Sequence, residues 1–261
     1  MIKQIKDKKT LYNHFKKDAY LFAYHIGDLD DFYFSDCKWF GLEEYGQIIE
    51  IILLYSGLKV PTLLLFGSVE KIPYLVEEII DKLPNSFFCH YQGNFHEIFK
   101  SKYKMTFLGT HLKMKFQGKL STLSNIDTSD TFHLSERDIP ELLSLYQEAY
   151  PEGYFVPFMV NSGKYFGIKV DNRIVSVAGV HVFSSIYNIA VLGNIITHPN
   201  FRGRGLAKKC TNQVLKSFEG KINRIGLNVK KDNVIALQLY ETLGFKIHST
   251  YKEAYFERIS R

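Results

Sequence analysis

The sequence predicts a mixed α/β protein, with an α+β mixed sheet, built as two similar halves in tandem. Three observations carry this expectation. The stretch Gln117 to Asp130, QGKLSTLSNIDTSD, is rich in Ser, Thr and Asp and lacks apolar periodicity, so it separates two patterned halves. Each half reads in one order: strand, strand, helix, strand, helix, strand. In the second half alone, a glycine-rich turn leads straight into an amphipathic helix. The expected organisation is a degenerate N-terminal domain over residues 1–120, a linker over 121–130 and a functional domain over 131–261.

In the first half, Gln47 to Tyr55 and Val60 to Phe66 are apolar runs of strand length around the turn pair Ser56-Gly57. Ile72 to Leu83 has helical spacing, and Ser86 to Tyr91 reads as a strand. Asn94 to Lys102 follows as a helix and Met105 to Phe116 as extended chain. Ahead of these, Lys3, Lys6, Lys8, Lys9, Lys16 and Lys17 read as a charged helix face, and no RNA-binding signature accompanies them. His25, Asp28, Asp30 and Asp31 form an acidic cluster; a solvated loop is its default reading and a metal site the alternative.

In the second half, Thr131 to Leu134 is a short strand. Ser135 and Asp138 resemble a capping box, in which hydroxyl and carboxylate satisfy the open N–H groups of a helix start. Ile139, Leu142, Leu143, Tyr146 and Ala149 continue at helical spacing. Tyr165 to Val170 and Ile174 to Phe183 flank Asp171-Asn172-Arg173 as a hairpin, and Tyr187 to Thr197 is a further strand. Beyond the glycine-rich turn, Leu206, Cys210, Val214 and Phe218 share one helix face. Arg224 to Val229 is a strand. Ala236, Leu239, Tyr240 and Leu243 stripe a helix that Gly244 stops, and Lys246 to Phe256 is expected to close the sheet.

The composition sets limits. A hydrophobic fraction of 46% and a charged fraction of 23% are those of a soluble globular protein, and 15% aromatic residues argue against disorder. A net charge of +6 points to an anionic partner without naming it. Cys37, Cys89 and Cys210 are few, odd in number and far apart, which speaks against a disulfide framework or a Cys-rich zinc site. The N-terminal stretch lacks a signal-peptide core, and the most apolar run, Ile48 to Tyr55, is too short to span a bilayer. The expectation is a cytoplasmic protein with no metal, no membrane and no nucleic-acid partner.

The chemistry concentrates in Gly193 to Ala207, GNIITHPNFRGRGLA. The strand ends at Pro199, which has no N–H for a sheet ladder. Arg202-Gly203-Arg204-Gly205-Leu206-Ala207 then opens the helix. Gly203 and Gly205 allow a sharp turn and close approach of a ligand. The first N–H groups of the helix and its dipole favour an anion such as a diphosphate. A dinucleotide-binding fingerprint is not met: Lys208 stands where a third Gly or Ala is wanted, and the strand Arg224 to Val229 carries no acid.

A second block, Leu227-Asn228-Val229 followed by Asn233, Ala236, Leu239-Tyr240 and Gly244-Phe245, resembles a signature of the GCN5-related N-acetyltransferase (GNAT) superfamily. Arg202-x-x-Gly205-x-Ala207 resembles the other signature of that family, and order and spacing match. The resemblance covers roughly residues 131 to 256, and the tandem plan is similar to glycine N-acyltransferase-like and mycothiol synthase-like members. It implies the acyl-CoA N-acyltransferase fold in the C-terminal half and a degenerate copy before it. It also implies acetyl-CoA as co-substrate and an amine acceptor, small molecule or peptide. By the same resemblance, the backbone of Ile195, Ile196 and Thr197 would pair with the pantetheine arm. Amides from Gly203 to Ala207, including Arg204 and Leu206, would hold the diphosphate, with Arg202 and Lys208 near. Asn233 would contact the pantetheine and Tyr240 would be the general acid.

The reaction asks for a neutral amine, an oxyanion donor and a proton for the departing sulfur. Many members place a Glu base where this chain has Gly193-Asn194. His181 and Glu152 are the titratable candidates in its stead, although a histidine on a strand is more often structural. Asn233 also suits a plain N-cap and Tyr240 a plain core position. In the first half the matching loop is Phe66 to Lys71, with one glycine and Glu70, so a single coenzyme A site is expected. Two other readings stand beside the enzyme: a module that senses acyl-CoA without turnover, and a nucleic-acid-associated protein resting on charge alone.

Overall fold

The computed structural model describes residues 1–119, 123, 125–151 and 155–259. Its elements are, in the first half, β1 (Ile2–Ile5), α1 (Lys8–Phe15), α2 (Ala23–Gly27), α3 (Asp31–Phe34), β2 (Cys37–Glu44), β3 (Gln47–Tyr55), β4 (Thr62–Leu65), α4 (Ile72–Ile79), β5 (Ser86–Tyr91), α5 (His96–Phe99) and β6 (Tyr103–Phe116). The second half gives β7 (Thr131–His133), α6 (Ile139–Ala149), β8 (Phe166–Val170), β9 (Arg173–Ser184), β10 (Ile189–Thr197), α7 (Leu206–Lys216), β11 (Arg224–Lys230), α8 (Val234–Thr242) and β12 (Phe245–Arg258). Two compact units result: Met1–Lys113 with Val229–Asn233 and His248–Arg261, and Met114–Asn228 with Val234–Ile247.

In the first unit the strand order is β1-β2-β3-β4-β5-β12-β6. The β2–β3 hairpin turns at Tyr45-Gly46, both at positive φ, the geometry a two-residue hairpin needs. β3 and β4 are antiparallel, and β4 and β5 parallel across the crossover helix α4. One sheet face carries Ile52, Leu63, Leu65, Phe87, Cys89, Ala254 and Phe256 against Ile72, Leu75, Val76 and Ile79 of α4. Phe87 and Phe256 stack with centroids 5.2 Å apart, and burying each ring stabilises the unit by about 1.5–3 kcal/mol. The other face, with Trp39 and Phe66, takes Phe15, Phe22 and His25 from the N-terminal helices. The acidic cluster is therefore not a solvated loop: His25 and Asp28 are buried, Asp30 caps α3 through the Phe32 N–H, and Asp31 pairs with Lys8.

In the second unit the order is β11-β10-β9-β8-β7. Asp171 and Asn172, at φ of 49° and 61°, close the β8–β9 hairpin, and β9–β10 is antiparallel while β10–β11 is parallel. Ser135 and Asp138 form the capping box, the Ser135 N–H donating to Asp138 Oδ2 at 2.9 Å. Gly244, at φ of 96°, ends α8. The segment between the halves is not a free tether where it is described. Leu123 is buried, and the carbonyls of Leu123 and Ile126 accept from Asn212 and Lys216 of α7.

The last strand departs from expectation. Lys252 to Glu257 pair antiparallel with Ser86 to Tyr91 and do not close the second unit's sheet. Ala254 and Phe256 alternate into the first unit's apolar face, which any strand edge of that spacing satisfies. In the second unit the end of β6 lies by β11: a Cβ on Gly226 would stand 3.2 Å from the Met114 carbonyl. From His248 on, the last strand thus belongs to the first unit, while the end of β6 from Met114 belongs to the second.

Candidate active site

The site begins at a fault in β10. Its ladder with β11 runs from Ile189↔Arg224 to Leu192↔Leu227 and stops, while the ladder with β9 continues to Thr197↔Ser176. Between Gly193 and Ile196 the register with β9 shifts, and Asn194 sits at φ of 54°, a conformation Asn tolerates better than most side chains. Ser176 Oγ, fully buried, donates to the Ile196 carbonyl at 3.2 Å and meets Thr197 Oγ1 at 2.8 Å. Ile195, Ile196 and Thr197 are thereby fixed on their β9 side, and the other edge has left the ladder.

Beyond Pro199 to Phe201 the chain enters the glycine turn. Gly203 and Gly205 have φ of 76° and 74°, and a Cβ at either would meet nothing within 4 Å. Backbone conformation, and not crowding, calls for glycine there, and the space beside both is open. Gly205 is the N-cap of α7, and Lys209 N–H donates back to its carbonyl at 3.1 Å. Arg202 is engaged within the chain. Its Nε donates to the Thr197 carbonyl at 3.2 Å and its Nη2 to the Ala149 carbonyl at 3.3 Å, so it braces the turn against β10 and the end of α6. Arg204 Nη2 reaches the Asn200 carbonyl at 3.5 Å, with the guanidinium 5.0 Å over Phe201. Leu206, Ala207 and Lys208 are half-buried in the first turn of α7. Open backbone, a helix start and no acidic side chain from Arg202 to Lys209 fit a diphosphate.

Tyr240, on α8 of the same unit, is 7% exposed, with its ring 6.1 Å from that of Phe245. Burial pushes its hydroxyl well above the ordinary tyrosine range, so it stays protonated. Among the described residues no hydrogen-bond partner takes that hydroxyl. Asn233 is exposed just before α8, its N–H donating to the Lys230 carbonyl at 3.0 Å, and it falls in the first unit. Glu152 lies outside the described residues.

A polar network that the sequence reading missed surrounds the bulge. Tyr165 donates its hydroxyl to the Val180 carbonyl at 2.9 Å and accepts from Asn194 Nδ2 at 2.7 Å. That orients Asn194 Oδ1 toward His181 Nε2, 3.2 Å away, so this nitrogen carries the proton and donates. Tyr146 donates to the Asn194 carbonyl at 2.6 Å. Two glycines make room: a Cβ on Gly179 would collide with the Tyr165 ring and one on Gly193 with the His181 ring. The only sequence signal was that Asn replaces the expected Glu.

In the first unit the matching turn is filled from inside. Glu50, buried on β3, accepts from the Ser68 N–H at 2.6 Å and the Ile51 N–H at 3.1 Å, with His14 Nε2 3.5 Å away. Gly67, at φ of 135°, has no room for a Cβ because that carboxylate lies against it. An internal carboxylate thus takes the Ser68 amide of this turn. Among the described residues no three metal-ligating side chains converge, and no helix is long and apolar enough to cross a membrane.

Residues 125–245 match the model of the acetyltransferase (GNAT) family. A [ribosomal protein bS18]-alanine N-acetyltransferase of Salmonella typhimurium is 29% identical over 128 residues, covering 47% of this chain and 84% of that protein. Among solved structures, an acetyltransferase of the GNAT family from Novosphingobium aromaticivorans is similar in fold, with a TM-score of 0.64, 19% identity, and 80% and 89% of the two chains covered. A tandem GNAT protein from the clavulanic acid biosynthesis pathway has a TM-score of 0.60 at 11% identity and covers 100% of this chain and 99% of its own.

Proposed function

Since residues 125–245 match the model of the acetyltransferase (GNAT) family, we propose that the protein moves an acetyl group, or another short acyl group, from acyl-CoA to an amine. The observation that carries this reading is the pairing of an open diphosphate turn at Gly203 and Gly205 with a strand that has left its ladder beyond Leu192. Amides from Gly203 to Ala207 would hold the diphosphate at the start of α7, with Lys208 adding charge. The edge of Ile195 to Thr197 would pair with the pantetheine arm as an added strand does. Coenzyme A supplies the activated thioester.

The chain's own groups do the rest. Backbone N–H on the parted segment of β10 stabilises the charge that develops on the carbonyl oxygen. Tyr240, kept protonated by its burial, gives a proton to the departing sulfur. His181 Nε2 is committed as a donor to Asn194, so His181 positions the bulge and the proton of the acceptor amine leaves through water. The Salmonella relative is named for an alanine of a ribosomal protein, which puts peptides with an N-terminal alanine first among the acceptors to try.

The second reading, an acyl-CoA sensor without turnover, is favoured by one observation: Asn194 stands at the bulge with its amide engaged by Tyr165 and His181. Thiol release from acetyl-CoA across amino acids, polyamines and alanine-starting peptides separates the two. Release that depends on the amine supports transfer. Tight acetyl-CoA binding with no release above the blank for any amine favours the sensor.

A further inference from the structure

Past the point where β10 leaves β11, little holds its edge. The ladder to β11 ends at Leu192↔Leu227. On the other side, after the register shift that follows Gly193, two pairs remain, Ile196↔Val177 and Thr197↔Ser176. The His198 N–H then donates to the Val175 carbonyl at 2.8 Å. Ser176 adds what this short ladder lacks. It is fully buried, and its Oγ donates to the Ile196 carbonyl at 3.2 Å. A hydroxyl has one proton, so in the 2.8 Å contact with Thr197 Oγ1 the threonine is the donor. Cys210, also buried and one turn into α7 from Leu206, hydrogen-bonds with the same serine. One hydroxyl thus joins β9, the edge of β10 and the helix whose start forms the glycine turn. Ala178 and Val180 alternate onto the same face of β9 and are buried, so packing alone would be served by alanine at position 176. A polar group in such a place is costly unless its bonds are made, and a network with its bonds made fixes one arrangement.

Resting on the acyl-CoA reading above, we propose that Ser176 is a positioning residue for the cofactor: its buried hydroxyl pre-sets the parted edge of β10 against the start of α7, so that one ligand engages edge and turn together. The diphosphate and the pantetheine belong to one molecule, so the Gly203–Ala207 turn and the Ile195–Thr197 edge must keep one spacing. An edge already in place avoids the cost of ordering it when the ligand arrives. Thr197 is gripped twice, by Ser176 at its hydroxyl and by Arg202 Nε at its carbonyl, 3.2 Å away. The Arg202 bond is exposed and competes with water, whereas the Ser176 bonds are sheltered, so Ser176 decides the position of the edge.

The test titrates the full chain with acetyl-CoA and with ADP, which carries a diphosphate and no pantetheine arm, with thermal melts to establish folding. Ser176→Ala is expected to bind acetyl-CoA about 10-fold more weakly, the worth of one buried hydrogen bond, and ADP within about two-fold of wild type. Thr197→Val removes the other hydroxyl and keeps the side chain's shape, so it should separate the two ligands in the same way. Thr197→Ser, which keeps the hydroxyl, should retain acetyl-CoA binding. Wild-type acetyl-CoA affinity in a folded Ser176→Ala, or in Thr197→Val where the alanine variant does not fold, overturns the proposal. Equal losses for both ligands overturn it too, since Ser176 would then support the turn or the fold as a whole. A wild type that binds acetyl-CoA but not ADP offers no separate diphosphate half to set the edge against, and also overturns it. A wild type that binds neither ligand defeats the acyl-CoA reading itself.

Discussion

Replacing Gly205 by Glu probes the proposed diphosphate turn in a way that separates fold from ligand. At φ of 74°, any non-glycine residue pays for a left-handed backbone, about 1–2 kcal/mol. The new Cβ meets no atom within 4 Å, so the fold loses that much and little more. The ligand loses further: a carboxylate about 4 Å from a phosphate oxygen costs about 1 kcal/mol in water and about 4 kcal/mol at a protein surface. Coenzyme A affinity should therefore fall between about 5-fold and about 1000-fold. Gly220 is the control, since it has φ of 70° and equally open space beyond α7, so Gly220→Glu carries the backbone cost alone. Calorimetric titration with coenzyme A, with thermal melts to establish folding, reads both. A folded Gly205→Glu variant that binds as tightly as wild type refutes the diphosphate assignment.

Other outcomes follow from the same geometry. Tyr240→Phe keeps the ring against Phe245 and removes the oxygen, so kcat should drop by about 10²- to 10⁴-fold with acetyl-CoA affinity nearly unchanged; a wild-type kcat where chemistry limits the rate returns Tyr240 to the core. Titration should count one coenzyme A per chain, because Glu50 already occupies the Ser68 amide in the first unit; two equivalents would contradict this. His181→Gln retains a donor for Asn194 Oδ1 and should hold kcat within a few-fold, whereas a loss of about 10²-fold or more would make His181 the base. Burial, partly offset by the charge of Asp18, pulls Lys113 down to about 7 from 10.5, so between those pH values the unfolded chain binds more protons and stability should rise with pH. The gain has a ceiling of roughly 5 kcal/mol, and a wild-type minus Lys113→Met difference in urea stability that stays flat from pH 7 to 10 (the window set by these two pKa values) would refute the burial argument.

Much of this was legible in the residues, and the rest fails for identifiable reasons. Ser86–Tyr91 and the Asp171-Asn172 hairpin were readable because short-range pattern and turn chemistry decide them. The first 44 residues were not: α2 and α3 are five and four residues long, held by buried rings and by the Asp30 cap more than by periodicity. The expected helix Asn94 to Lys102 shrinks to His96–Phe99, where Phe95 and Phe99 are buried. Alternation in β12 marked a strand but could not say whose edge it joins. Gly203 and Gly205 were legible as a sharp turn, and both have positive φ with open space beside them. For Arg202 the sequence left open added charge for a phosphate or a side chain in solvent, and its guanidinium donates to two carbonyls brought near only by the fold. Asn194 was seen as a missing carboxylate, while its positive φ and its ties to Tyr165 and His181 are long-range facts.

The site itself is tested most directly by a crystal structure of the chain grown with acetyl-CoA. The expected density has the diphosphate on the amides from Gly203 to Ala207, the pantetheine along the edge of Ile195 to Thr197, and the thioester sulfur within reach of the Tyr240 hydroxyl. Density for the cofactor at the Gly67-Ser68 turn of the first unit, or a pantetheine running elsewhere than along that edge, would contradict it.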